Sequence, residues 1–263
     1  MKVRTQGLIA VFLLWLCAST AQGQVLYDGS SGVTPDNAQW QWSYASLGGT
    51  ASNTASGGAA ILDTTSADGI SAGYGKGLSF NLDASQGYTV RFDMQLISED
   101  HSNANADKNS DGLADRAGFS ALILGSDKKG VELAFWTAEI WPQSSGFLHD
   151  PAAERAFIDP TTALNRYDLR VSGSSYNLYV NNGASPILSG SLRDYSAGPS
   201  IPYSNANYLF FGDDTGSANA KVKIARIEVV TPEPGAWALF ASVTLSGATL
   251  LRRRLRLRRS SAP

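Results

Sequence analysis

Cysteine and histidine are almost missing from this sequence. Cys17 is the one cysteine in 263 residues, and His101 and His149 are the two histidines. Cys17 falls in an N-terminal stretch expected to be removed, so the remaining chain has neither a disulfide nor a cysteine nucleophile. A domain of about 200 residues buries enough apolar surface to do without a disulfide. No G-x-S-x-G elbow accompanies the histidines, and each reads as a polar loop residue rather than a base. Glycine-rich loops opening a helix are absent too, which leaves phosphate and dinucleotide binding unsupported. No repeat of 20–50 residues stands out. Between Gln24 and Val230 no helical period is sustained.

Long apolar runs occur only at the two ends. Lys2 and Arg4 precede an apolar core from Leu8 to Ala18, and Ala21 and Gly23 stand where a signal peptidase cuts before Gln24. Residues 1–23 therefore read as a secretory signal peptide, the alternative being a short buried helix. Leu14-Trp15-Leu16 ahead of Cys17 makes a poor lipoprotein signal.

At the other end Pro232-Glu233-Pro234 precedes an apolar segment, 236–251, and then Arg252, Arg253, Arg254, Arg256, Arg258 and Arg259. As a helix that segment is about 24 Å long, against roughly 30 Å of hydrocarbon, so it spans only with thinning or arginine snorkelling. The arginines resist translocation and act as a stop-transfer cluster on the cytoplasmic side, which leaves the body of the protein outside. An amphipathic helix lying on the membrane fits less well, because apolar and basic residues are segregated along the chain, not around it.

The body is acidic. Residues 24–231 hold 13 Lys and Arg against 22 Asp and Glu. That balance argues against nucleic acid or anionic lipid as partner and is compatible with cations, neutral glycans or basic surfaces.

Period-two alternation recurs throughout the body. Val90, Phe92, Met94 and Leu96 share one strand face, and Tyr167, Leu169 and Val171 another. Residues 118–126 and 130–141 read as a hairpin, and Asn182-Gly183 marks a second. Around Ala225 the phase slips, so that Ile227 and Val229 continue the face of Val222 and Ile224; this predicts a β-bulge. Residues 45–59 read as a surface loop, and 150–160 as a helical turn or a loop. With ten to twelve strands expected, the fold class is an all-β antiparallel sandwich over 24–230.

One constellation carries metal chemistry. Asp107, Asn109 and Asp111 are spaced i, i+2, i+4; Gly112 permits a tight turn, Leu113 offers a carbonyl, and Asp115 takes the ninth place. Those are the first nine positions of a calcium loop. Gly118 stands where the bidentate Glu belongs and no helix flanks the loop, so a solvated acidic loop is the alternative. Asp213-Asp214 could add oxygens or simply make a turn. Trp40 and Trp42, two apart in an extended segment, are candidates for stacking on sugar rings, as are Trp136 and Trp141; core packing is the alternative for all four. Glu132 and Glu139 lie seven apart on opposite faces and do not make a retaining-glycosidase pair.

The C-terminal segment, 231–263, resembles the PEP-CTERM sorting signal of Gram-negative bacteria, with its Pro-Glu-Pro motif at 232–234, short helix and arginine cluster at 252–259. The resemblance implies recognition by an exosortase-type processing enzyme, transient residence in the inner membrane, and a final place on the cell surface or in the exopolysaccharide matrix. The stretches 25–32, 115–136 and 208–230 resemble the concanavalin A-like sandwiches that precede such tails, a jelly-roll fold. The resulting expectation is a non-catalytic surface or matrix protein, structural or adhesive, with calcium as the one cofactor to consider. The alternatives are a carbohydrate-binding module and a glycan-active enzyme with an unrecognised site.

Overall fold

The computed structural model describes residues 22–39, 42–103, 107–150, 152–198 and 202–232. The expected signal peptide up to residue 21, Trp40, the sorting residues Glu233 and Pro234, the apolar segment 236–251 and the arginine cluster lie outside the described residues. Among the described residues no helix is long and apolar enough to cross a membrane.

In chain order the strands are β1 (Gln22–Asp28), β2 (Ser43–Leu47), β3 (Ser52–Ser56), β4 (Ala59–Asp63), β5 (Ser71–Gly77), β6 (Tyr88–Asp100), β7 (Ser120–Leu124) and β8 (Lys129–Phe135). They continue with β9 (Ile140–Pro142), β10 (Asn165–Ser172), β11 (Ser175–Val180), β12 (Leu188–Ser191), β13 (Arg193–Asp194), β14 (Tyr208–Asp213) and β15 (Asn219–Thr231). Two sheets result. The back sheet runs β12-β11-β10-β6-β15-β4-β3, with β1 also on β15; the front sheet runs β13-β8-β7-β14-β5-β2, with β9 also on β8. Pairing along both is antiparallel. The expected all-β antiparallel sandwich is what the structure shows.

Alternation in the sequence becomes the core between the sheets. Val90, Phe92, Met94 and Leu96 of β6 are fully buried, as are Ile123, Val131, Leu133, Phe135, Leu209 and Phe211 from the front sheet. Phe92 is central: its ring stacks on Tyr167 at 5.2 Å and meets Phe135 and Phe211 edge-on at 6.2 and 5.3 Å. A buried ring of this size contributes about 1.5–3 kcal/mol through burial alone.

The turn signals map onto hairpins. β7 and β8 pair as expected, Leu124 opposite Gly130. β11 and β12 pair across 181–187, but the positive φ angles fall on Asn181 and Asn182, one residue before the expected pair. The bulge in β15 is present: the register with β6 shifts between Ile224 and Arg226, which keeps Ile227 and Val229 facing inward.

One segment differs from expectation. Residues 45–59 hold the end of β2, all of β3 and the start of β4. β2 and β3 close the ends of their sheets, so one side of each faces solvent and the apolar period that betrays a strand is missing. The described residues of 150–160 form no helix, in line with the loop reading, and Ala156 makes a single bridge to Ile140.

Candidate functional site

Because side chains alternate across a strand, each inward-facing residue of the front sheet leaves its neighbours on the outer face. The register sets these into rows. Glu132, Leu122, Phe210, Gly75 and Ser43 lie side by side across β8, β7, β14, β5 and β2. The next row, Ala134, Ser120, Gly212, Gly73 and Ala45, is made entirely of small residues. A trough therefore runs across the sheet beside an aromatic ridge.

Phe210 and Tyr208 lean over that trough. A Cβ built on Gly73 would lie 2.4 Å from the Phe210 ring, and one on Gly75 would lie 1.9 Å from the Tyr208 hydroxyl. Glycine at both positions is what lets the rings lie down across β5. Tyr203 and Phe147, from loops, pack behind them with Leu122, Leu124 and Tyr195. The loops around 108–116, 202–205 and 213–217 form the walls. The enclosed cleft has a volume of about 930 Å³ and is lined by Ser43, Ala45, Leu47, Gly73, Lys108, Arg116, Tyr203, Asn205, Tyr208, Phe210, Asp214, Thr215 and Ser217 among others.

A charged cluster stands at one wall. Arg116, 4% exposed, places Nη2 2.5 Å from Asp214 Oδ1 and 3.5 Å from Glu132 Oε1. The Tyr203 hydroxyl reaches Glu132 Oε2 at 2.7 Å and also contacts Asp214 Oδ2. A phenol has one proton to donate. Two carboxyl oxygens can both be bonded to it only if one carboxyl is protonated. Glu132, 1% exposed, is that group: burial, then the neighbouring Asp214 charge, push its pKa up to about 7. The cluster reads as a relay in which Glu132 donates to Tyr203, Tyr203 donates to Asp214, and Asp214 accepts from Arg116. Burial works against the Arg116 charge, but the Asp214 carboxylate beside it holds its pKa well above the ordinary value.

The sequence candidates are placed differently. Trp42 is 3% exposed, packs edge-on against Phe211 and donates its indole N–H to the Leu26 carbonyl. It belongs to the core between the sheets and offers no face to a sugar. Trp141 is buried, and the half-buried Trp136 is covered on one face by His101, stacked at 4.3 Å. His101 pairs with Glu99 at 2.8 Å, and buried His149 meets Glu139 at 3.1 Å, so both histidines are held in local pairs.

The loop of Asp107, Asn109, Asp111, Leu113 and Asp115 is folded on itself. Asp107 accepts from the backbone N–H groups of Asp111 and Gly112, and Asp111 accepts from Leu113 N–H and the Asn109 amide. Asp115 is turned inward, 1% exposed, with its oxygens taken by the N–H groups of Lys108, Asn109 and His149. Among the described residues no three His, Cys, Asp or Glu side chains gather around a point that could hold a metal ion. Asp213 accepts from Thr64 and from Thr215 N–H, the turn chemistry weighed for it, while Asp214 joins the charged cluster.

The aromatic floor was missed by sequence reasoning, although a signal existed. Tyr208, Leu209, Phe210 and Phe211 are apolar on both parities, which marks a strand covered on both faces.

No known protein family matches the chain, and no curated protein matches it in sequence. Solved structures are similar at low identity. One is a protein of unknown function with a galectin-like fold from Bacillus subtilis, at 12% identity over 81% of this chain and 98% of that one, with a TM-score of 0.46. Another is a carbohydrate esterase from Shiga toxin-encoding bacteriophage phi24B, at 14% identity over 81% and 100%, with a TM-score of 0.48. A third is the exoplasmic/lumenal domain of VIP36 bound to Ca2+ and Man3GlcNAc, at 11% identity over 79% and 90%, with a TM-score of 0.45. Likeness at this level transfers no function to the chain.

Proposed function

We propose that the chain is a carbohydrate-binding sandwich carried on an exported, tail-sorted surface or extracellular-matrix protein, with the glycan lying in the front-sheet cleft. The observation that supports this most is the floor: two rings, Tyr208 and Phe210, half-exposed on alternate positions of β14 and laid flat over glycines. Their Cα atoms are about 7 Å apart along the strand. Sugar rings present C–H faces that stack on such π surfaces, while their hydroxyls need polar partners. Ser43, Asn205, Asp214, Thr215 and Ser217 supply these around the cleft. The volume falls within the range of about 300–1,000 Å³ usual for ligand sites.

The reading is non-catalytic. Glu132 lies beneath Tyr203 and out of reach of the cleft, so Glu132 and Asp214 do not flank an open bond as a hydrolase pair must. Calcium at the 107–115 loop would require Asp115 to release its three backbone N–H partners, and it is not part of the proposed site. Export through the N-terminal signal, sorting at Pro232-Glu233-Pro234 by an exosortase-type enzyme, and transient anchoring in the inner membrane complete the proposal.

Affinity electrophoresis of the full chain in gels containing polysaccharides tests the binding. Phe210→Ala and Tyr208→Ala are each expected to weaken retardation about two- to tenfold, since stacking is worth about 0.5–1.5 kcal/mol per ring. Unchanged retardation in both variants would leave the structural or adhesive role without a ligand as the reading.

A further inference from the structure

We infer that the cleft takes an acidic glycan, with the Lys108 ammonium as the counter-charge to its anionic groups. This rests on the carbohydrate reading of the same cleft. Lys108 lines the cleft and forms no ion pair among the described residues. The other cation on that wall is already engaged: Arg116 contacts Asp214 and Glu132. The single proton of the Tyr203 hydroxyl means that Glu132 and Asp214 share a proton, and Arg116 faces the charge they keep; Asp213, which also lines the cleft, is turned to Thr64 and the Thr215 N–H, so Lys108 is the cation of this wall left without an ion pair. The remaining acids of its own loop are turned to other work, Asp107, Asp111 and Asp115 each accepting backbone N–H groups. Partial burial, and then the Arg116 charge beside it, lower the Lys108 pKa, while Asp214, Asp115 and Glu132 act in the opposite direction without overcoming them.

The acidity of the body as a whole does not oppose this. Charges beyond about 8 Å are largely screened at physiological salt, so a ligand in the cleft feels mainly the cleft wall. A lone ammonium serves a carboxylate or a sulfate half-ester alike. The shared chemistry is an anionic sugar, and the test separates the two.

The full chain is titrated with polygalacturonate, with its methyl-esterified counterpart and with dextran sulfate. The expected result is a preference of about tenfold for an anionic polymer over the neutral ester, shrinking with added salt. Polygalacturonate as the preferred polymer identifies carboxylate sugars, and dextran sulfate identifies sulfated ones. Lys108→Gln is expected to reduce the preference to about twofold or less while binding to the ester persists. Equal binding of ester and anionic polymers, or a preference that survives Lys108→Gln, overturns the inference and leaves the carbohydrate reading in place. Absence of binding to every polymer, or binding by Phe210→Ala equal to wild type, overturns the carbohydrate reading and the inference with it.

Discussion

The Tyr203 hydroxyl stands between two carboxyl groups, and the proton arrangement this demands gives the molecule a signature in pH. Glu132 has a folded pKa of about 7 against an ordinary 4.5, mainly because it is buried. A carboxyl raised on folding favours the folded state while it is protonated. Its contribution is therefore complete below about pH 4.5 and is lost as pH rises through about 7. Burial raises Asp213 and Glu99 in the same direction. Melting temperature is expected to fall as pH is raised from 6 to about 8. Glu132→Gln, which keeps a neutral group beneath Tyr203, should flatten that slope and melt higher than wild type above pH 7. A melting temperature that climbs over this interval, or the same slope in both proteins, would contradict the assignment of the proton to Glu132.

Single elements carry the packing and the site separately. Phe92→Ala on β6 removes a ring that touches Tyr167, Phe135 and Phe211, and is expected to cost about 3–5 kcal/mol in urea unfolding. Gly75→Ala on β5 tests the floor instead. Its Cβ would sit 1.9 Å from the Tyr208 hydroxyl, so the ring must lift. Glycan affinity is expected to fall while the melting temperature moves only a few degrees. The central strands were legible from sequence because Val90, Phe92, Met94 and Leu96 alternate with polar residues, and the β15 bulge was legible because its apolar phase slips at Ala225. β2 and β3 were not, since the ends of a sheet need no apolar face. The site was hidden for another reason. Arg116, Glu132, Tyr203 and Asp214 come from four separate places in the chain, and each looks like an ordinary solvated or turn residue until the front sheet brings them to one wall.

At the scale of the whole molecule, two apolar ends and an acidic body underlie the proposal that the protein leaves the cytoplasm. A reporter fused after Pro263 is expected to be active in the cytoplasm of the host, with residues 24–231 protected until the outer layers are opened; a periplasmic reporter would contradict the orientation. Because Asp115 is committed to backbone N–H groups, millimolar calcium and chelator should give melting temperatures within about 1 °C of each other. The most direct test of the central claim is an NMR titration of the full chain with hydrolysates of polygalacturonate and of a neutral β-glucan, following the ring signals of Tyr208 and Phe210. Shifts at these two rings on addition of a hydrolysate, with Trp42 and Tyr167 unmoved in the core, are the result expected. Binding that leaves both rings unperturbed and moves residues of the back sheet instead would show that the front-sheet cleft is not where the sugar lies.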